Sequence, residues 1–243
     1  MGFDIKGHKF IVTGAAKGIG LVISRKLSEL GAKVSGWDLN DDTMTSEPAF
    51  THTVKVDVTD EKSIQSAVKE SIQKLGGLQG LIANAGINGP TKPTWEYSKQ
   101  EWEHVMSVDL TGVFLSTKAV LHHMRKHGYG RLIIISSVAG KEGNPGASPY
   151  GAAKAGVIGY AKGLAPELLP ADIKVTCLAP AITETDLLQE MTDEYIEDKK
   201  SRIPMGRFCT AAEIADMTAW VASPHCSFTT GQVFDLTGGR ATY

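Results

Sequence analysis

The sequence predicts an α/β fold, a single domain built on a doubly wound parallel sheet, and three observations carry that prediction. Short apolar runs alternate with helix-period segments from Lys9 to Leu236, a pattern that places parallel strands between two layers of right-handed crossover helices. The run from Arg131 to Ser136 is nearly continuous in isoleucine and leucine, as in a central parallel strand buried on both faces. The length of 243 residues, with 42% hydrophobic and 21% charged residues, suits one continuous core, and no repeat, low-complexity tract or linker divides it. The expected domain is 1–243, with a cofactor half at about 1–140 and a catalytic, substrate-loop half at about 137–243.

Lys9 to Val12 reads as the first strand, followed by glycines and a helix from about Gly18 to Leu30, which Gly31 stops. Ala32 to Trp37 is the second strand and Thr53 to Val56 the third. Thr59-Asp-Glu-Lys-Ser opens a helix with apolar positions at Ile64, Ala67, Val68, Ile72 and Leu75. Leu78 to Ala83 is the fourth strand. A long helical stretch then runs from about Lys99 to Lys126, with a break expected between Asp109 and Gly112. Arg131 to Ser136 is the fifth strand. A helix carrying Tyr150 ends near Pro170 and is expected to kink at Pro166. Ile173 to Leu178 is the sixth strand, Thr185 to Arg207 is polar with helical pieces, Ala211 to Ala222 is helical, and Gln232 to Leu236 is the last strand.

Composition narrows the function. Net charge is −2 with scattered Lys and Arg, so no footprint for nucleic acid is present. Residues 1–9 lack a signal-peptide core and no run of about 18 apolar residues occurs, which makes the cytoplasm the expected compartment and excludes a membrane span. Cys177, Cys209 and Cys226 have no metal-like spacing, and an odd count argues against a disulfide framework. His122 and His123 are adjacent, so on a helix they diverge by about 100° and cannot readily chelate one ion. No metal site is expected.

Thr13-Gly-Ala-Ala-Lys-Gly-Ile-Gly20 falls between the first strand and first helix. Glycines there let the backbone turn tightly, approach a pyrophosphate and pack helix on strand, while N–H groups of the helix start face the phosphates. The spacing is TGxxxGxG rather than GxGxxG. The sheet is therefore expected to be Rossmann-like. Asp38 ends the second strand, eighteen residues beyond Gly20. A carboxylate there accepts both ribose hydroxyls of an adenosine and repels a 2′-phosphate, which favours NAD over NADP. Lys17, inside the loop, pulls the other way, but an unscreened carboxylate beside a phosphate outweighs a flexible lysine.

Tyr150 and Lys154 stand four residues apart, and Ser137 lies thirteen residues before Tyr150. Positions i and i+4 share a helix face. A free tyrosine is a poor base at neutral pH, but a neighbouring cation favours its phenolate, which can exchange a proton with an alcohol or ketone. Ser137, at a strand end facing that helix, could hold the substrate oxygen. The Tyr-x-x-x-Lys pattern alone occurs by chance in many helices.

Thr13-Gly14, Gly18-Ile19-Gly20, Asp57-Val58, Asn84-Ala85-Gly86, Ser137, Tyr150-x-x-x-Lys154 and Pro180 occur in the order and spacing of the short-chain dehydrogenase/reductases, and the chain resembles that family over essentially its whole length. The resemblance implies that Asp57 and Val58 flank an adenine and that Asn84, Ala85 and Gly86 line the cofactor and brace the fourth strand. It implies that Pro180, the Ile182 backbone and Thr185 lie at the nicotinamide carboxamide, and that Lys154 holds the nicotinamide ribose. For Asp57 a turn or capping role is equally open. The family is commonly tetrameric, which makes a homotetramer the expected assembly.

The chain departs from the family twice. Val108-Asp-Leu-Thr-Gly112 places Asp109 where the family usually has a fourth catalytic residue, asparagine. The family role relies partly on the main-chain carbonyl at a helix kink, which aspartate still provides. An ionised Asp109 near Lys154 would partly offset the cation and set an alkaline optimum for oxidation. Pro180-Ala181 replaces Pro-Gly, and since alanine disfavours φ > 0 the nicotinamide loop is expected to differ slightly.

Substrate residues are expected from 88–95, 141–147 and 187–207, at strand C-terminal ends. Glu142, Asn144, Gln189, Arg202 and Arg207 are polar candidates, Trp95 and Met191 apolar ones. The segments Ala139–Pro145 and Ile203–Arg207 resemble members that oxidise sugar acids or other polyhydroxylated compounds, and also 3-oxoacyl carrier-protein reductases. NAD preference and the missing basic patch favour oxidation of a small hydrophilic hydroxy compound. A dinucleotide-sensing protein without turnover is the alternative of another class, against which the intact Ser137, Tyr150 and Lys154 argue.

Overall fold

Leu132 and Ile134 of strand β5 (Tyr129–Ile135) join one hydrophobic cluster, while Ile133 and Ile135 join a second. Successive strand side chains alternate between faces, so this strand has a core on each side. The computed structural model describes residues 3–40, 42–184, 193–241 and 243. Among them, seven strands form one parallel sheet in the order β3-β2-β1-β4-β5-β6-β9. Its other members are β1 (Lys9–Thr13), β2 (Lys33–Asp38), β3 (His52–Lys55), β4 (Gly80–Ala83), β6 (Asp172–Pro180) and β9 (Gln232–Leu236). The first cluster packs Ile11, Leu81, Leu132 and Val175 against α2 (Glu61–Leu75), α4 (Gly112–His127) and α6 (Ser148–Glu167). The second packs Phe10, Val34, Ile133 and Leu178 against α1 (Gly18–Glu29) and α8 (Ala211–Ala222). The expected α/β, Rossmann-like sheet is thus present, with strand ends within a few residues of those read from the sequence.

The order turns back at β1, whose neighbours are β2 on one side and β4 on the other. Crossovers on either side of that point leave a crevice outside the strand C-termini, where such sheets bind ligands.

Four features differ from the sequence reading. The expected break in the long helical stretch is not a loop: α3 (Lys99–Met106) passes through a π-helical turn, Ser107–Thr111, directly into α4. Gly112 accounts for part of that path, since a Cβ on it would lie 3.0 Å from Val58. Pro166 sits in the last turn of α6, which ends at Glu167, so it terminates the helix rather than bending its middle. A helical turn, α5 (Ala139–Glu142), follows Ser137, too short to show periodicity. Finally β7 (Thr183–Glu184) pairs with β8 (Cys209–Thr210), and α7 spans Asp193–Ser201.

Ala181 is buried and, among the described residues, Asp4 is the one non-glycine with positive φ. Alanine in place of glycine therefore imposes no left-handed strain at this loop. The three cysteines are free; burial pushes the Cys177 thiol up to about 12 and the Cys209 thiol up to about 11.

Candidate active site

The ends of β1 and β4 are tied across the switch point. Thr13 Oγ1 accepts from the Asn84 and Ala85 N–H groups, both at 3.0 Å. Asn84 Nδ2 donates to the carbonyls of Thr13 at 3.0 Å and Gly14 at 3.1 Å. Gly14 has φ +64, and a Cβ there would lie 2.9 Å from Ala85 Cα. A Cβ on Gly20 would stand 2.1 Å from the Gly14 carbonyl oxygen, so this position in the first turn of α1 tolerates no side chain. Gly18, by contrast, has φ +56 and nothing within 4 Å of its missing Cβ. The loop thus leaves open space at the start of α1, where helix N–H groups favour an anion.

Asp38, at the end of β2, accepts from the Ala16 N–H at 3.0 Å and from the Asn40 N–H at 3.3 Å. Its carboxylate is thereby held against the glycine loop. Lys17 is exposed and caps α1 without a side-chain bond. Ile19 packs against the second core cluster. Asp57 accepts from the Thr59 N–H and hydroxyl at 2.8 and 2.7 Å, the turn role left open by the sequence, while Val58 packs on Gly112 of α4.

Ser137 lies beyond β5 and is 9% exposed; its Oγ accepts from the Ala139 N–H at 3.1 Å. The next residue, Val138, donates from its N–H to the Pro180 carbonyl at 2.9 Å, so the Ser137 and Pro180 loops are joined. The Ile182 carbonyl accepts from the Cys209 N–H at 3.2 Å. Thr185, Leu187, Gln189 and Met191 lie outside the described residues.

Lys154 is buried one turn beyond half-buried Tyr150, its Nζ 5.5 Å from the phenol ring centroid. The ammonium donates to the Ile135 carbonyl at 3.1 Å and lies 3.3 Å from Asp109 Oδ2. Asp109, on the π turn, is fully buried, and its Oδ1 accepts from the Ile87 N–H at 2.8 Å. Oδ2 has the Lys154 ammonium beside it without hydrogen-bond geometry. Burial pushes the Asp109 carboxyl up, and the Lys154 charge and the Ile87 N–H oppose that rise. Gly86 fits over this pair because a Cβ would approach Asp109 Oδ2 to 2.9 Å and Lys154 Nζ to 3.1 Å.

Comparison with known families matches residues 14–241 to a family model described as enoyl-(acyl carrier protein) reductase. The chain belongs to the short-chain dehydrogenase/reductase family. It is 40% identical over 240 residues, covering 98% of this chain and 96% of the relative, to a 2-dehydro-3-deoxy-L-rhamnonate dehydrogenase (NAD(+)) from Sphingomonas sp. (strain SKA58). It is 35% identical, covering 97% and 98%, to the 3-oxoacyl-[acyl-carrier-protein] reductase FabG of Vibrio cholerae. Among solved structures, a 3-ketoacyl-(acyl-carrier-protein) reductase from Brucella melitensis complexed with NADH superimposes with a TM-score of 0.91 at 28% identity, covering 98% and 100%.

The protein, a short-chain dehydrogenase/reductase, draws Ser137, Asp109 and the α6 pair Tyr150 and Lys154 from three different segments. Several partners of these residues escaped the sequence reading. Ser136 Oγ donates to the Lys154 carbonyl at 2.9 Å, and a Cβ on Gly140 would lie 2.6 Å from that same carbonyl. The Ile87 N–H, one residue beyond Asn84-Ala85-Gly86, escaped too, and Thr13 was read as part of the glycine motif without the role of its hydroxyl.

The candidate substrate residues are less gathered. Glu142, its side chain partly shielded, is paired with Arg240, and half-buried Asn144 sits in the turn before α6, where its carbonyl accepts from the Ala147 N–H. Arg202 is exposed and paired with Asp198 of α7, and Arg207 is paired with Glu213. Trp95 is 84% exposed.

Asp109→Asn gives a direct electrostatic prediction. Removing a carboxylate beside Lys154 leaves more of that cation's field to favour the phenolate form. The acid limb of the oxidative pH–rate profile should move to lower pH by about half a unit to one unit, on the scale of 1.4 kcal/mol per unit. An unmoved limb would overturn this account.

Proposed function

We propose that the protein is a dehydrogenase that uses NAD to oxidise a secondary alcohol of a small hydroxylated acid, of the sugar-acid or 2-dehydro-3-deoxy-sugar-acid class, to the ketone. The full-length 40% identity to an NAD(+) dehydrogenase of such an acid carries this reading. The residues fit the dinucleotide: Gly14 and Gly20 let the loop and helix start pack tightly, Gly18 leaves open space for a pyrophosphate, and Asp38 presents a carboxylate suited to ribose hydroxyls. Bound NAD supplies the acceptor for the hydride.

The chain supplies the proton chemistry. Tyr150, as phenolate, takes the hydroxyl proton of the substrate. Ser137 Oγ holds the same oxygen, and Lys154 favours the phenolate and reaches the nicotinamide ribose. Asp109 and the Ile135 carbonyl hold Lys154. Asp57, Val58, Asn84, Ala85, Gly86, Pro180, Ile182 and Thr185 line the cofactor, with Lys17 and Ile19 at its phosphate loop. Glu142, Asn144 and Arg202 border the substrate.

Residues 1–140 serve mainly the cofactor and 137–243 mainly the substrate. We also infer a homotetramer, supported by an α4–α6 face on which partly exposed Phe114 meets Tyr160 edge-on at 6.1 Å. Open space over Gly159 and Gly163 of α6 suits that assembly. Three free cysteines suit a reducing cytoplasm, and among the described residues no helix is long and apolar enough to cross a membrane.

A panel of sugar acids, 2-dehydro-3-deoxy sugar acids, sugars, hydroxy acids and acetoacetyl thioesters, run with NAD(H) and NADP(H), tests the reading. The largest kcat/KM should fall on a hydroxylated acid with NAD. Preference for a thioester would favour the reductase reading that FabG's 35% identity supports, and preference for NADP would sink the Asp38 argument.

A further inference from the structure

We propose that the chain's own C-terminal segment, through Arg240 and Tyr243, positions Ser137 by clamping α5. This rests on the assignment of Ser137 to the reacting site. α5 is a single turn of four residues, and a helix that short has no stability of its own. Its place must therefore come from what touches it.

On one side Gly140 packs against the Lys154 main chain so closely that a Cβ would lie 2.6 Å from its carbonyl. On the other side stand β9 and the tail. Lys141 Nζ pairs with Asp235 of β9 at 2.7 Å and lies 4.9 Å from the Tyr243 ring centroid. The Tyr243 hydroxyl donates to the Lys141 carbonyl at 2.6 Å. Arg240 pairs with Glu142 at 2.8 Å. These pairs are not open to solvent like ordinary surface bridges: side-chain exposures are 8% and 25% for Lys141 and Asp235, and 19% and 26% for Arg240 and Glu142.

The tail itself is anchored. Gly238 and Gly239 have φ +60 and +89, which turns the chain back. Thr237 Oγ1 donates to the Ala241 carbonyl at 3.3 Å and accepts from its N–H at 3.2 Å. Ala241 is buried in a small cluster with Val138, Ala181, Ile203 and Phe208. Val138 is the residue between Ser137 and α5, and Ser137 Oγ accepts from the first N–H of α5. The tail therefore touches the serine's neighbour, its helical turn and that turn's two charged residues. Arg240 and Tyr243 are positioning residues for the serine hydroxyl.

The experiment uses the full chain saturated with NAD, with the best compound of the substrate panel as reactant. Arg240→Ala and Tyr243→Phe should each lower kcat by about five- to tenfold while leaving the KM for NAD unchanged, the size expected when a group is displaced rather than lost. Hydrogen exchange at the amides of residues 139–141 should rise by about tenfold in Arg240→Ala, against unchanged rates in β5. The reversed pair Glu142→Arg with Arg240→Glu should restore the exchange rates of α5. In a Ser137→Ala background, Arg240→Ala should cost less than about twofold further, because the group it positions is gone.

Unchanged exchange in α5, or an equal loss of kcat with and without Ser137, would overturn the proposal. A fully active Ser137→Ala protein would sink the role of Ser137 instead, and the exchange rates would then decide whether the tail clamps α5.

Discussion

Tyr150→Phe should lower kcat by about a thousandfold, within the range that a positioned acid–base group supplies, and leave the affinity for NAD where it was. The substitution keeps the aromatic ring beside which the Lys154 ammonium lies at 5.5 Å and removes only the hydroxyl. Lys154 stays tied to the Ile135 carbonyl and to Asp109, so the site keeps its shape and loses its proton acceptor. Steady-state kinetics on the best substrate, with NAD binding followed by titration calorimetry, separate the two effects. Retention of more than about a tenth of kcat would show that another group takes the proton, which a general-base role worth two or more decades does not allow.

The largest loss of stability should come from Lys154→Met. Asp109 is fully buried, and removing the cation leaves its carboxylate with the Ile87 N–H as hydrogen-bond partner. Breaking a buried pair from one side typically costs about 3–5 kcal/mol. Adding Asp109→Asn removes the stranded charge while keeping an acceptor for the Ile87 N–H. The double variant should therefore recover most of the stability and none of the activity.

The pH dependence gives the sign. Burial raises the Asp109 carboxyl above its ordinary 3.8, and Lys154 is the largest influence lowering it. Without Lys154 the folded-state value rises further above the unfolded one. Stability linked to such a group is fully present below the unfolded value and is lost as pH rises through the folded value. The Lys154→Met deficit, measured by urea unfolding, should be small near about pH 4 and should grow toward about pH 7.5. The double variant should show no such growth, and a deficit independent of pH would refute the stranded-charge explanation.

The fold was legible because its carriers are local. Ile133 to Ile135 and the glycines at 14, 18 and 20 announce a buried strand and a turn within a few residues of sequence. Ser137, Tyr150 and Lys154 were legible as a spaced set. What the sequence hid is contact between distant segments. The approach of Arg240 to Glu142 spans almost a hundred residues, and no period or motif links the two. The pairing of Arg202 with Asp198, four residues before it, was not read from the sequence either. Buried Arg131 was likewise hidden inside an apolar run; it is held by the Asp172 carboxylate and lies over the Tyr129 ring.

The π-helical turn at Ser107–Thr111 has a bearing on how this chain can change. Such a turn holds one residue more than an α-helical path would need. Deleting a single residue there would let α3 and α4 run on as one regular helix along the same course, and the residues of the turn itself would lose their present places. Asp109, on the turn, would leave Lys154, while Gly112 at the start of α4 would stay against Val58. The one extra residue in this stretch of helix is thus what sets a buried carboxylate beside Lys154.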